Sequence, residues 1–189
     1  MSYLKIPQQN ALDILALYEA SDELTELAVL QNDPAKLIDA AVGQELFSDI
    51  VIFIAHALPV REAVWWACCC AAQRTDWNDD EANAIRAAKA WVHAPDETSR
   101  RFAEQMANKA KLQTGAGWVA QAAFWSGGSM IAAGEPLVPA PEHLYSHAVA
   151  GAISLTAVIP EGQDAKARYA DYLAIGLNIA QGGNGRIGD

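Results

Sequence analysis

The sequence predicts an all-α fold, either an irregular multi-helix bundle or a short solenoid-like stack of about eight helices. Alanine, the best helix former, accounts for about a fifth of the 189 residues. Apolar side chains recur at helical spacing, as at Ala11, Ile14 and Tyr18, and no segment sustains the period-two alternation of a strand. The predicted loops are short, which favours antiparallel neighbours, and no strict period indicates a named repeat.

Helix start signals divide the N-terminal half of the chain. Ser21, followed by two acidic residues, is typical of an N-cap. Asp33 and Pro34 form a cap and a first-turn proline, and Pro59 opens a further helix in the same way. The helices predicted here cover residues 10–20, 22–31, 34 to about 57 with an interruption or a bend at Gly43, and 60–73.

The C-terminal half is divided by acidic caps, glycines and prolines. Acidic residues open the helices predicted at residues 79 and 96. Gly115 and Gly117 flank a break at the start of the next helix. Three prolines in residues 134–141 indicate a stiff extended connector. The helices predicted here cover residues 79–93, 96–112, 116–125, 141–158 and 163–181. We therefore expect one helical domain over residues 1–181 and a flexible glycine-rich tail over 182–189.

Composition and charge exclude several classes of protein. Hydrophobic residues make up 52% and charged residues 19% of the chain, enough apolar material to bury a core. The net charge is −10, which disfavours binding to nucleic acids and to anionic membranes. Residues 1–60 hold nine acids and two bases. This acidic third could steer a basic partner towards the protein, or it could simply keep the protein soluble.

The sequence predicts a cytoplasmic protein. The N-terminus lacks the apolar segment of a signal peptide, and the longest apolar stretches are shorter than the ~20 residues that span a bilayer. Cys68, Cys69 and Cys70 are consecutive, so on a helix they point about 100° apart and cannot share one metal ion. We expect them to be small buried side chains in a reducing compartment.

No residue pattern makes a convincing catalytic, metal or cofactor site. His143 and His147 are spaced to share a metal ion, with Glu142 beside them, but a third ligand is missing from the pattern. The Gly183–Gly188 string has the glycine spacing of a dinucleotide loop but follows a helix rather than a strand. Ser126 and Ser129 do not form a nucleophile elbow. We therefore predict no catalytic residues, no metal and no cofactor.

Two motifs carry a family resemblance. Residues 57–68, ALPVREAVWWAC, and residues 124–130, FWSGGSM, resemble a bacterial family of unknown function encoded in type VI secretion gene clusters. The resemblance implies an accessory, co-chaperone or adaptor role and offers no catalytic residues. Its partner would be an effector, an adaptor chaperone or a spike component.

We therefore expect a non-enzymatic adaptor or co-chaperone for effector loading. The alternatives are an acidic immunity protein that neutralises a toxin and a metal-dependent helical enzyme. Tryptophan is favoured at binding hot spots, and six tryptophans are many for this length. The predicted partner-binding residues lie in the two motifs: Arg61, Glu62, Trp65, Trp66, Trp125, Ser126, Gly127, Gly128, Ser129 and Met130. The alternative is that both motifs form the packed centre of the fold.

Overall fold

The computed structural model describes residues 3–186 and shows an all-α bundle. The predicted fold class is confirmed, and no strand occurs within this range apart from one isolated bridge between Ser129 and Pro139. The helices are α1 (Ala11–Leu15), α2 (Asp22–Leu30), α3 (Pro34–Gly43), α4 (Phe47–Ala57), α5 (Val60–Ala71), α6 (Asp79–His93), α7 (Glu97–Ala110), α8 (Gly115–Phe124), α9 (Leu144–Val158) and α10 (Ala165–Ala180), with a 3₁₀ turn at Gly162–Asp164.

Side-chain caps begin the helices where the sequence predicts them. Ser21 accepts a hydrogen bond from the backbone N–H of Leu24, and Asp33 accepts from the first turn of α3. Asn78 and Glu81 form a capping box at the start of α6. These caps satisfy backbone donors that a helix leaves unpaired, so local sequence alone determines these boundaries.

The described part of the chain has ten α-helices rather than about eight. Of the two alternatives expected at Gly43, an interruption or a bend, the structure has the interruption, because residues 44–46 leave the helix and Glu45 adopts a left-handed φ of 62°. The first helix is also shorter than expected and ends at Leu15. Both differences come from backbone turns that carry no glycine or proline at the turning residue.

Helices α5, α8 and α9 form the centre of the bundle. Helices α6 and α7 pack against α8, whereas α4 and α10 pack against α5 and α9, and α1 to α3 extend the bundle from α4. Alanine lines the central contacts, as at Ala120 and Ala152, so the helix axes approach closely. Within residues 3–186, none of the helices combines the length and the apolar character needed to cross a bilayer.

Candidate functional site

Helix α5 presents part of its first two turns to solvent. Arg61 is exposed, and Glu62 and Trp65 are half-buried, while Ala63 and Val64 face the core. Positions three and four apart share a helix face, so Arg61 and Trp65 lie side by side. The local amphipathic pattern therefore places three of the predicted partner-binding residues on one surface.

A depression of about 260 Å³ opens on one side of Trp65. Lys5 and Glu62 form an ion pair of 2.8 Å at its edge. The Arg61 Nε donates a 2.6 Å hydrogen bond to the carbonyl oxygen of Val92 at the end of α6. These contacts hold the polar rim in place and leave the Trp65 indole as an apolar wall.

A larger depression of about 750 Å³ opens on the other side of Trp65, between α5, α6 and α10. Cys69 lies on its floor, and Lys89, Asp171 and Arg186 are among its charged lining residues. We call the two depressions together the Trp65 groove. The charged residues that line the groove are four bases and two acids: Lys5, Arg61, Lys89, Arg186, Glu62 and Asp171.

A turn formed by residues 182–186 separates the two depressions, and we call it the C-terminal turn. The Trp65 Nε1 donates a 3.0 Å hydrogen bond to the carbonyl oxygen of Asn184. Gly185 is buried, and its N–H donates 2.8 Å to the side-chain oxygen of Asn178. Residues 182–186 of the predicted glycine-rich tail thus contact α5 and α10, while residues 187–189 lie outside the described range.

Gly185 can occupy this position because it has no side chain. Its φ is +81°, a backbone conformation that other residues rarely adopt. A Cβ atom at this position would lie 2.9 Å from the Sγ of Cys69 and 3.2 Å from Ile179. The glycine thus lets the C-terminal turn cover the Cys69 thiol closely.

Trp66, also predicted as a binding residue, lies in the core, as the alternative of a packed centre expects. Its side chain is completely buried, and its Nε1 donates a 2.7 Å hydrogen bond to the carbonyl oxygen of Tyr172. Gly176 of α10 lies directly against the indole, where a Cβ would come within 2.6 Å of the ring. Neighbouring residues on a helix point about 100° apart, so exposing Trp65 turns Trp66 into the core.

The Trp125–Met130 turn lies on α7, and none of its residues lines the Trp65 groove in the described structure. The buried guanidinium of Arg100 donates hydrogen bonds to the carbonyl oxygens of Phe124 and Ser129. The N–H of Met130 donates to Val138 of the proline-rich connector. Gly127 and Gly128 are exposed, whereas Trp125, Ser126, Ser129 and Met130 are half-buried. The structure therefore separates the two predicted motifs into two surfaces.

A second group of polar residues surrounds His56, which the sequence analysis did not single out. The His56 ring is 2% exposed on α4 and lies 4.7 Å from His147 and 5.9 Å from His143, measured between ring centroids. The Tyr18 ring stacks on its other side at 4.4 Å. We call these four side chains the histidine cluster. No local motif marks His56, because each of its partners lies 38 or more residues away from it in the sequence.

The histidine cluster brings a third imidazole to His143 and His147. Glu142 lies 3.7 Å from the His143 Nε2. Nevertheless, no three His, Cys, Asp or Glu side chains are grouped as metal ligands within residues 3–186. The pKa of His56 is lowered from its usual value of 6.5 to about 4, chiefly by burial and to a smaller extent by His147 and His143, against a backbone hydrogen bond that raises it.

The three cysteine thiols are free. Cys68 and Cys70 are buried in the core, as expected, and burial raises the pKa of both thiols. Cys69 is half-buried under the C-terminal turn, and burial raises the pKa of its thiol to about 11. A thiol protonated at neutral pH is a poor nucleophile, so the groove holds no activated cysteine among these three.

Comparison with known proteins gives a family for this fold. The model of DUF6931, a family of unknown function, matches residues 37–180. The chain belongs to the DUF6931 family. The DUF6931 match includes Trp65 and the three histidines of the cluster, and it leaves α1, α2 and the C-terminal turn outside. No curated protein and no solved structure matches the chain. The resemblance to a family of unknown function is thus confirmed, while the link to type VI secretion stays a prediction.

Proposed function

We propose that this DUF6931 chain is a non-enzymatic protein-interaction module that holds a segment of a partner protein in the Trp65 groove. The observation that supports the proposal is a half-buried tryptophan between two open depressions of about 260 and about 750 Å³. Tryptophan supplies a large, rigid apolar contact at low entropic cost, which makes it a frequent anchor of protein interfaces.

The charge of the groove indicates the chemistry of the partner segment. Four bases and two acids line the groove, whereas the whole chain has a net charge of −10. An acidic segment with one apolar anchor complements this lining, because the anchor packs on Trp65 and the acids meet Lys89 and Arg186. Such complementarity sets the orientation of the segment in the groove.

The motif resemblance supports a finer proposal about the partner. An effector, an adaptor chaperone or a spike component of a type VI secretion system would carry the acidic segment. In this role the chain is a cytoplasmic adaptor or co-chaperone in effector loading. The role needs no chemistry at the groove, because burial of an apolar surface and charge matching suffice for binding.

The experiment is co-purification of the full chain with each of these three classes of protein, encoded beside it, one at a time. We expect the Trp65→Ala variant to lose at least about tenfold in affinity for the retained partner, since truncation of a hot spot costs ~2 kcal/mol or more. Trp118→Ala is the matched control, because Trp118 is also half-buried and also donates its Nε1 to a backbone carbonyl oxygen, that of Leu112.

Three results would contradict the proposal. In the first, none of the three classes of protein is retained by the wild-type chain. In the second, Trp65→Ala and Trp118→Ala weaken binding equally, which would place the interface elsewhere. In the third, the chain protects cells from a co-encoded toxin without aiding secretion, which would make it an immunity protein.

A further inference from the structure

The histidine cluster lies where three parts of the fold meet. His56 comes from α4, His143 and His147 from the start of α9, and Tyr18 from the segment that follows α1. His143 lies two residues after the proline-rich connector and adopts a left-handed φ of 60°. Contacts within the cluster therefore hold the connector and the N-terminal segment against the bundle.

Unpaired polar atoms concentrate at this junction. Within residues 3–186, five buried side-chain atoms lack a hydrogen-bond partner, and four of them belong to this junction: Tyr18 Oη, His56 Nε2, His143 Nδ1 and Ser146 Oγ. A buried polar group without a partner costs about 1–3 kcal/mol. The junction is therefore held less firmly than the alanine-lined centre of the bundle.

The hydrogen bonding of His56 suits only its neutral ring. Its Nδ1 lies 2.8 Å from the carbonyl oxygen of Ile52, which makes Nδ1 the protonated nitrogen and leaves Nε2 as a bare lone pair. A second proton on Nε2 would add a buried N–H without an acceptor. It would also place a positive charge beside two more imidazoles.

The groups that face His56 do not compensate such a charge. From α9 and the residues before it come His143, His147, Tyr145 and Glu142, and Glu142 contacts His143 rather than His56. Tyr18 comes from the segment after α1. The Asp49 carboxylate of α4 contributes to raising the pKa of Tyr18. Helices α3, α5 and α10 also pack on α4. Within the described residues, the charged neighbours that shift the pKa of His56 are the other two histidines, and no carboxylate is among them.

We propose that the histidine cluster is an acid-responsive joint, which opens when it takes up protons and releases the start of α9 and the segment after α1 from α4. His147 is the exposed ring of the cluster. The like charges on the outer rings and the unfavourable proton on His56 then separate the elements.

The direction of the response follows from the neutral state of His56 in the folded protein. The unfolded chain takes up a proton on this residue below about pH 6.5, whereas the folded protein holds the ring neutral down to about pH 4. The stability that His56 contributes is complete above pH 6.5 and is lost as the pH falls from 6.5 towards 4.

The test is hydrogen exchange of the full chain at pH 7.5 and pH 5.0, read by mass spectrometry on peptides from α4 and from the start of α9. The test variant is His143→Gln/His147→Gln, which removes both outer rings at positions that are not part of the core. At pH 5.0 we expect these peptides to exchange at least about tenfold faster in the wild type than in the double variant, and equally fast at pH 7.5. The control is His93→Gln, since His93 is exposed on α6 and lies outside the cluster.

Two outcomes would overturn the proposal. One is equal exchange of the wild type and the double variant at pH 5.0, which would show that the outer rings do not drive opening. The other is faster exchange at pH 7.5 after treatment with EDTA, which would assign the cluster to a bound metal ion. The proposal is supported if, at pH 5.0 only, the wild type and His93→Gln both exchange faster than the double variant.

Discussion

At the scale of single residues, Arg100 shows how one buried side chain organises a loop that looks like a surface turn. Arg100 is only 4% exposed, so its side chain is almost completely shielded from water. It donates to both carboxylate oxygens of Glu97 and to the carbonyl oxygens of Phe124 and Ser129, and it lies 4.8 Å from the Phe124 ring centroid. The planar fork of arginine matches these several acceptors at once, which lysine cannot do.

Gly128 and Gly127 give a prediction at this scale. Gly128 has a φ of +66°, and a Cβ there would lie 2.9 Å from the Arg100 guanidinium, whereas Gly127 has open space around it. We expect Gly128→Ala to lower the free energy of unfolding by about 1–2 kcal/mol, because a left-handed backbone and a close contact both oppose the methyl group. Urea unfolding followed by circular dichroism measures the change.

Gly127→Ala is the matched control for this pair, and it should change stability by about 0.5 kcal/mol or less. Equal effects of the two substitutions would show that the turn does not depend on the packing of Gly128 over Arg100. Arg100→Lys should destabilise the protein in the same direction as Gly128→Ala, since a single ammonium group cannot serve all four acceptors.

At the scale of elements, local signals predicted the helices and missed the contacts between them. The caps at Ser21 and Asp33 act within one turn, so the sequence predicts them correctly. The break at Glu45 has a left-handed backbone without a glycine, which no local rule indicates. The choice of Trp65 over Trp66 as the outward residue depends on the packing of α10, so helical spacing alone left both as candidates.

The candidate site shows the same division. Arg61, Glu62 and Trp65 follow from spacing on one helix, and the structure places them on one surface. His56 could not be found this way, because its neighbours come from two distant parts of the chain, the segment after α1 and the start of α9. The C-terminal turn was also missed, because a glycine-rich segment is normally flexible and becomes ordered here only through contacts with Trp65 and Asn178.

The C-terminal turn gives a prediction at the scale of elements. We expect Gly185→Val to detach the turn from α5, because the new side chain would meet Cys69 and cannot adopt the φ of +81° easily. The Cys69 thiol, whose pKa burial raises to about 11, should then react at least about tenfold faster with a thiol-labelling reagent at pH 8. The measurement is the labelling rate of Cys69 in the folded wild type and in the folded Gly185→Val variant.

Gly134→Val is the control for this prediction. Gly134 also has a positive φ, +91°, but a Cβ there meets no atom within 4 Å. It therefore shares the backbone strain of Gly185 and lacks its contact with Cys69. Unchanged labelling of Gly185→Val would show that the turn does not protect the thiol. Cys68 and Cys70 do not interfere, since both are completely buried.

At the scale of the whole molecule, charge is distributed unevenly around the bundle. Residues 1–60 carry a net charge of −7, whereas the Trp65 groove is lined by more bases than acids. An acidic surface on the rest of the protein repels an acidic segment, so a segment of this kind binds best in the groove. The uneven charge thus gives specificity to the proposed interaction. It also explains why a chain with a net charge of −10 can have an acidic segment as its proposed partner.

The N-terminal helices lie outside the family match, which begins at residue 37, yet they contribute to the core. Ile14 and Leu24 are almost completely buried, and Leu15 is 7% exposed. Burying each such side chain stabilises a protein by about 1.5–3 kcal/mol, against a total stability of about 5–15 kcal/mol. Helices α1 and α2 are therefore part of the folded unit of this chain.

A comparison within α2 tests this integration. Leu24 is 1% exposed, whereas Leu30 on the same helix is 77% exposed. We expect Leu24→Ala to lower the free energy of unfolding by about 2–4 kcal/mol in one cooperative transition, because the cavity forms in a core shared with α4. Leu30→Ala should change it by about 0.5 kcal/mol or less. If Leu24→Ala instead melts α2 alone and leaves the main transition in place, the N-terminal helices form a separate unit, and residues 37–180 would be the whole folding domain.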